Sequence, residues 1–204
     1  MIKKITLLIV ISLTISHSNA QKFGGGFFAG IAASQISGDQ LSGFYKAGPY
    51  VGAFSNFAFN EKSALQLELY YILKGSSKNQ RPKINDYSIY KLNLHYIELS
   101  LLYKWQFSKR FWLETGPALG VLMKNNGIEK DEFGTVYDSQ RPRFNKLDFS
   151  GLAGLGINIT GHLKANIRYQ NSIIPVRGSE IPYWRIQKRW QFSSSITISA
   201  IYEI

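Results

Sequence analysis

The chain lacks cysteine altogether, and its 204 residues include only two methionines and six prolines. Without cysteine, no disulfide stabilises the fold, no thiolate binds a metal ion, and lipid attachment of the lipoprotein type is excluded. Long apolar runs are also missing: after residue 20, none reaches the roughly 20 residues that a membrane-spanning helix needs. Acidic residues are in the minority, with 13 Asp and Glu against 24 Lys and Arg.

The first twenty residues differ from everything that follows them. Residues 3–4 are lysines, residues 5–15 are largely apolar, and residues 18–20 end in small side chains. This layout is typical of a secretory signal peptide, and its apolar stretch is too short to span a bilayer. We therefore predict a cleaved signal peptide over residues 1–20 and one exported domain over residues 21–204. An uncleaved N-terminal anchor is the alternative.

The predicted mature chain is basic, because its 22 Lys and Arg exceed its 13 Asp and Glu by a net charge of +9. Such an excess is typical of nucleic-acid binding. An exported protein instead meets a phosphate-rich lipid surface. We predict outer-membrane lipid and lipopolysaccharide phosphates as partners, an envelope protein as a further partner, and no nucleic acid. The sequence leaves the oligomeric state open.

Apolar and polar residues alternate with period two after residue 22, which is the pattern of half-buried β-strands. The predicted strands cover residues 24–36, 47–59, 65–74, 97–107, 111–124, 147–159, 163–173 and 190–204. Eight is an even number, as single-chain bacterial membrane barrels require. A membrane-embedded sheet must close on itself, because lipid offers no partner for free backbone groups.

The connections between these strands alternate in length. Three are short and four are long: residues 60–62, 108–110 and 160–161, against residues 37–46, 76–91, 125–145 and 175–188. Membrane barrels have short periplasmic turns and longer extracellular loops. The sequence therefore predicts an all-β fold, an eight-stranded antiparallel up-and-down transmembrane barrel in the bacterial outer membrane.

Aromatic residues collect beside the short turns: Phe57, Phe59, Trp105, Phe107, Phe111 and Trp112. We predict that they form an interfacial girdle at the headgroup level. Ordinary strand propensity is the alternative explanation.

Residues 95–107 read His-Tyr-Ile-Glu-Leu-Ser-Leu-Leu-Tyr-Lys-Trp-Gln-Phe. This strand resembles one of the PorT-like outer-membrane β-barrel family of Bacteroidetes, with Ser100 where that family usually has Pro. Further stretches resemble the family in the expected order: residues 64–71, 113–117, 149–156 and 167–169. The resemblance implies an eight-stranded barrel in the outer membrane without an assigned activity, in a family whose members have been linked to protein secretion.

If the apolar faces meet lipid, the polar faces point into the lumen. Eight strands leave room there only for side chains, and an isolated buried ion costs several kcal/mol. Inward charges should therefore pair, with Glu68, Glu98 and Glu114 accepting from Lys104 and Arg168, and Arg168 bridging two carboxylates. The predicted lumen charge network comprises Glu68, Glu98, Lys104, Glu114, Asp148, Lys164 and Arg168.

The sequence offers little support for catalysis. Two carboxylates acting as acid and base would need a substrate cleft, and three histidines without cysteine make no metal-ligand set. A triad would have to join His95 with Ser88 or Ser100. We predict no catalytic residue, no metal, no cofactor and no enzyme. The alternatives are a soluble lipocalin-like small-molecule binder with apolar faces inside, a lipid A-modifying membrane enzyme, a narrow ion path and a conducting pore.

The long connections carry a predicted basic rim: Lys78, Arg81, Lys83, Arg141, Arg143, Arg177, Arg185, Lys188 and Arg189. Such a rim could bind lipopolysaccharide phosphates or an acidic protein, or it could be a solvated surface. We predict a structural or interaction barrel that acts through these loops, with a role in the envelope or in secretion.

Overall fold

The structure, a computed structural model, describes residues 23–38, 43–78, 87, 89–130, 136–137, 143–178 and 190–204. The predicted signal peptide lies outside the described residues. The strands are β1 (Phe23–Ser37), β2 (Lys46–Ala58), β3 (Ser63–Lys78), β4 (Ile89–Gln106), β5 (Phe111–Lys130), β6 (Val136–Tyr137), β7 (Leu147–Asn158), β8 (Leu163–Ser172) and β9 (Phe192–Glu203). Within those residues, no helix has the length and apolarity to cross a membrane.

Eight of these strands form a closed antiparallel ring, which confirms the predicted fold class. Each strand pairs with its neighbours in the order β4-β3-β2-β1-β9-β8-β7-β5, and pairing of β4 with β5 completes the circle. The two-residue β6 pairs with the far end of β5 and lies outside the ring. Closure gives every barrel strand a hydrogen-bonded neighbour on each side, as a sheet in lipid requires.

Strands β3, β4 and β5 run further toward the long connections than the sequence predicts. Ser77 pairs with Lys91, and Asn93 pairs with Asn126, in segments that were predicted as loop or left unassigned. Hydrophobic alternation marks a strand only where one face is apolar. Along β4 the alternation continues in the opposite phase, with Leu92 and Leu94 buried inside and Lys91 exposed outside. A pattern with apolar residues on the outer face therefore ends before the backbone pairing does.

Apolar side chains cover the outside of the barrel in mid-strand, and polar and aromatic side chains fill the middle of the lumen. Leu67 and Leu69 are 47% and 57% exposed, whereas Gln66 and Glu68 between them are 1% and 0% exposed. This pattern contradicts the lipocalin-like alternative, which requires apolar residues inside. Along the middle of β3, the lumen is therefore lined by the polar members of each alternating pair.

Five of the six aromatic residues predicted for the girdle lie on the outer surface of the barrel, and their position at the headgroup level stays a prediction. Phe57 and Phe59 pack together outside the barrel with ring centroids 5.1 Å apart, and Trp105 and Phe107 lie beside each other at 6.1 Å. Trp112 is the exception, since it is buried in the lumen with 3% exposure. Successive strand residues point to opposite faces, so Phe111 and its neighbour Trp112 cannot both face lipid.

Candidate functional site: a closed lumen and a basic outer rim

A charge cluster around Arg168 occupies the middle of the lumen; we call Arg168, Glu68 and Glu114 the lower cluster. Both Arg168 terminal nitrogens donate to Glu68, at 2.7 Å each. Arg168 Nε donates to Glu114 at 2.6 Å, and Nη2 lies 3.2 Å from the second Glu114 oxygen. All three side chains are at most 3% exposed. A planar guanidinium suits this double bridge because its donors match two carboxylates at once.

Neutral groups complete the hydrogen bonding of the lower cluster. Arg168 Nη1 also donates to the Tyr50 hydroxyl at 2.6 Å. Ser100 donates to Glu68 at 3.1 Å, while Asn166 and Trp112 donate to Glu114 at 2.8 and 3.3 Å. These donors stabilise the second negative charge, which a single guanidinium does not neutralise.

A second cluster lies toward the extracellular end; we call Lys74, Glu98 and Asp148 the upper cluster. Lys74 Nζ is 2.6 Å from Glu98 and 3.2 Å from Asp148. Tyr70 and Gln170 donate to Glu98 at 2.9 and 2.7 Å. Ser172 donates to Asp148 at 2.6 Å. Each cluster thus holds one cation between two carboxylates, so its formal charge of −1 is stabilised by neutral donors.

The structure brings together five of the seven residues of the predicted lumen network: Glu68, Glu98, Glu114, Asp148 and Arg168. The two lysines lie elsewhere. Lys104 Nζ donates to Gln66 at 3.1 Å and lies 4.5 Å from the centre of the Trp112 ring. Lys164 forms its ion pair with Glu203.

The prediction that Glu98 accepts from Lys104 or Arg168 is wrong, because Lys74 occupies that place. Lys104 is six residues from Glu98 along β4, or roughly 20 Å at about 3.3 Å per residue, beyond the reach of its side chain. Lys74 shares the inward face of β3 with Glu68 and Tyr70. Its position on the polar side of the alternation was the signal that could have identified it.

Trp112 closes the lumen toward the short turns. Its indole lies flat on Gly156 of the neighbouring strand, where an added Cβ would be 2.0 Å from the ring. Only glycine leaves this space. The ring also donates to Glu114 at 3.3 Å, so it lies directly beneath the lower cluster.

A layer of apolar side chains closes the lumen at the other end. Ile36, Ile72, Leu92 and Leu94 are all 0% exposed and belong to one buried cluster. Two residues of the connections join that cluster, since Phe144 is 7% and Val176 0% exposed. Backbone hydrogen bonds hold this cap in place, from Asn145 to Val176 and from Val176 to Gln191, each 2.8 Å long.

Three residues of the predicted basic rim are among those that the structure describes. Arg143 is exposed and Lys78 is half-buried at the end of β3. Arg177 is only 6% exposed, so its placement on the rim is wrong. Its guanidinium lies 4.6 Å from the Phe144 ring because this connection folds inward over the barrel mouth. The others lie outside the described residues: Arg81, Lys83, Arg141, Arg185, Lys188 and Arg189.

The outer wall carries a polar patch below these loops that the sequence analysis did not identify. Tyr71 bonds His95 Nδ1 at 2.7 Å on the outward face. A β-bulge next to His95 places exposed Lys124 directly across from it, and exposed Lys91 lies four residues further along β4. The apolar band begins at Ile97, so these cations lie at the extracellular membrane boundary.

No group of three His, Asp or Glu among the described residues has the arrangement of a metal site. Arg168 and Lys74 in the lumen are paired with carboxylates, whereas Lys91 and Lys124 on the outer wall are exposed.

The fold is that of known small membrane barrels. One similar structure is that of Ail, the attachment invasion locus protein of Yersinia pestis, solved in complex with the heparin analogue sucrose octasulfate. Its sequence is 11% identical, and the TM-score is 0.50 over 90% of this chain and 99% of Ail. Neisserial surface protein A has 14% identity and a TM-score of 0.52 over 87% of this chain and 96% of that protein. No curated protein matches the chain.

The family comparison is more specific than the fold. The model of the outer membrane protein beta-barrel domain matches residues 19–177, more than three quarters of the chain. The finer resemblance to PorT-like proteins of Bacteroidetes stays a prediction. The predicted location in the bacterial outer membrane agrees with this match, and the chain belongs to the outer membrane protein beta-barrel domain family.

Proposed function

We propose that this barrel is closed to solutes and acts by binding an anionic partner through its extracellular basic surface. The observation that carries the proposal is the filled lumen. Two ion clusters, the Trp112 floor and the apolar cap occupy it from end to end. An eight-stranded barrel whose interior is filled in this way has no aqueous path, so recognition is left to its surface.

The charge of the extracellular end supports an anionic partner. The long connections and adjoining strand ends are residues 37–46, 76–91, 124–146 and 174–190. They contain 14 Lys and Arg against 7 Asp and Glu, a net charge of +7. Lys91, Lys124, Arg143 and Lys146 are exposed. A surface with a net positive charge attracts polyanions over a distance comparable to the Debye length.

Ail, a barrel with the same fold, was solved with a heparin analogue bound. For the present chain, we propose the phosphates of lipopolysaccharide as the polyanion, because Lys91 and Lys124 lie where the outer-leaflet headgroups would be. An envelope or secretion-associated role is part of the same proposal, since a barrel without a pore would serve such a machine as a binding partner.

We also propose that the protein is not an enzyme. His95 bonds Tyr71 on the outer face, whereas Ser100 donates to Glu68 inside the lumen, so these two members of a conceivable triad face opposite sides of β4. His162 Nδ1 contacts the backbone oxygen of Glu203 near a short turn. The lumen carboxylates are engaged by Arg168 and Lys74. These arrangements favour binding over catalysis.

The test is calorimetric titration of the purified barrel in detergent micelles with sucrose octasulfate and, separately, with lipopolysaccharide. We expect the triple variant Lys91→Gln, Lys124→Gln, Arg143→Gln to bind about tenfold more weakly or worse. Each surface cation contributes about 1 kcal/mol next to an anionic surface, and about 1.4 kcal/mol corresponds to tenfold. The matched control is Lys62→Gln, Lys109→Gln on the short turns. Equal loss in the control and the triple variant would contradict the proposal.

A further inference from the structure

A cavity opens at the short-turn end of the barrel, opposite to the proposed recognition surface. Its volume is about 170 Å³, and its walls include Asn56, Ala64, Lys104, Trp112, Lys164 and Glu203. Short turns face the periplasm in outer-membrane barrels, so we call this space the periplasmic pocket. It ends at Trp112 and does not continue into the lower cluster.

Lys104 is the unusual residue of the periplasmic pocket. In the part of the chain that the structure describes, no carboxylate oxygen lies within 4.0 Å of its ammonium group. One of its three N–H donors is taken by Gln66 at 3.1 Å, and the Trp112 ring lies 4.5 Å away. The positive charge of Lys104 is thus stabilised by an amide and an aromatic face. Deeper in the lumen, Arg168 and Lys74 each contact two carboxylates.

A second ammonium reinforces the positive potential. Lys164 Nζ lies 6.0 Å from the centre of the same Trp112 ring, so the two nitrogens are at most 10.5 Å apart. Lys164 is already paired with Glu203, whose other oxygen accepts from Asn56 at 2.8 Å. The carboxylate next to the pocket is therefore occupied. Glu114, directly across the β4–β5 pair from Lys104, is engaged by Arg168, so Lys104 has no ion pair of its own among the described residues.

We propose that the periplasmic pocket binds a small oxyanion, with Lys104 as its principal cation and Trp112 as its floor. A phosphate or carboxylate group has the charge and the acceptor oxygens that an ammonium with free donors favours. The pocket volume of about 170 Å³ exceeds the roughly 10–15 Å³ that a cavity needs to hold one water. The bound group would be the anionic end of a periplasmic molecule or a free ion.

The experiment is nuclear magnetic resonance of the Trp112 indole N–H in detergent micelles, assigned with a Trp112→Phe variant. Inorganic phosphate and acetate are titrated separately at constant ionic strength, which distinguishes a phosphate site from a carboxylate site. We expect a saturable shift of the Trp112 signal with at least one of them. The shift should disappear in Lys104→Met, which keeps the apolar stem against the ring, and persist in Lys109→Gln in the adjacent turn.

A Glu203→Gln variant gives an independent result should Lys104→Met fail to fold. It removes the competing carboxylate but keeps an oxygen for Asn56, so we expect about two- to fivefold tighter oxyanion binding, the range of an exposed ion pair. Absence of a saturable shift with either anion in the wild-type protein, or an equal shift in folded Lys104→Met, would overturn the proposal. Because the pocket and the extracellular surface lie at opposite ends, either proposal can fail without the other.

Discussion

Arg168 forms two parallel hydrogen bonds of 2.7 Å with Glu68 across the full width of the barrel. Their strands, β8 and β3, are four positions apart in either direction around the ring, so the two residues project from opposite walls. The pair connects strands that share no backbone hydrogen bonds. It stabilises the barrel cross-section and at the same time obstructs the lumen.

The first prediction concerns the loss of this connection. Arg168→Met leaves Glu68 and Glu114 buried without a cation, and removing one partner of a buried ion pair costs about 3–5 kcal/mol. We expect the free energy of unfolding in lipid vesicles, measured by urea titration and tryptophan fluorescence, to fall by about that amount. Lys109→Gln in a short turn is the control and should change it by less than about 0.5 kcal/mol.

The second prediction separates the charges from the packing. In the triple variant Arg168→Met, Glu68→Gln, Glu114→Gln, no buried charge is left unpaired in the lower cluster. Replacement of a whole buried ion group by neutral residues of similar size is often neutral or stabilising. We expect the triple variant to regain at least half of the free energy of unfolding that Arg168→Met loses, as measured by the same urea titration. A triple variant as unstable as Arg168→Met would show that packing, and not the unpaired carboxylates, causes the loss.

The third prediction tests the floor of the lumen. A Cβ at Gly156 would lie 2.0 Å from the Trp112 ring, whereas nothing lies within 4 Å of one at Gly161. Overpacking of this kind costs about 1–3 kcal/mol. Gly156→Ala should therefore lower the free energy of unfolding by that amount and shift the Trp112 indole resonance. Gly161→Ala should do neither, and equal effects would mean that the ring does not rest on Gly156.

The fourth prediction tests contact of the outer face with lipid. Leu99 is 47% exposed on the outer wall, where it pairs with Leu69 and Leu119 in mid-strand. Arginine on the lipid face costs about 2–4 kcal/mol at the bilayer midplane and about 0–1 kcal/mol near the interface. In vesicles, Leu99→Arg should lower the free energy of unfolding by about 2–4 kcal/mol. Met123→Arg, beside Lys124, should lower it by only about 0–1 kcal/mol. If both variants were as stable as the wild type, the outer face would not contact lipid.

Strand alternation and the alternating lengths of the connections were together sufficient to predict the fold. Alternation separates the two faces of each strand, and placement in the outer membrane turns the polar face inward. Together they placed Glu68 and Arg168 inside, and the guanidinium geometry predicted a bridge between two carboxylates. They did not specify height along the barrel axis, which depends on the register of each strand pair. Lys104 was therefore assigned to Glu98, which lies six residues from it along β4, and Lys74 was overlooked. Glu114 does lie directly across from Lys104, but its ion pair is with Arg168.

The ends of the barrel were harder to predict for a different reason. Near the rim, both polar and aromatic residues are compatible with either face, as the inward position of Trp112 and the burial of Arg177 show. Strand β5 continues to Lys130, and its exposed residues Lys124 and Asn126 are polar. Backbone pairing extends the strand there, and the hydrophobicity pattern of the outer face does not predict how far the strand continues.

The most direct test of the closed lumen is electrical recording from the purified wild-type barrel in a planar lipid bilayer. The filled cross-section predicts no discrete conductance steps at any applied voltage that the bilayer tolerates, with a larger porin as the positive control. Reproducible single-channel steps from properly folded protein would contradict the closed lumen, and the function would then have to be sought in transport.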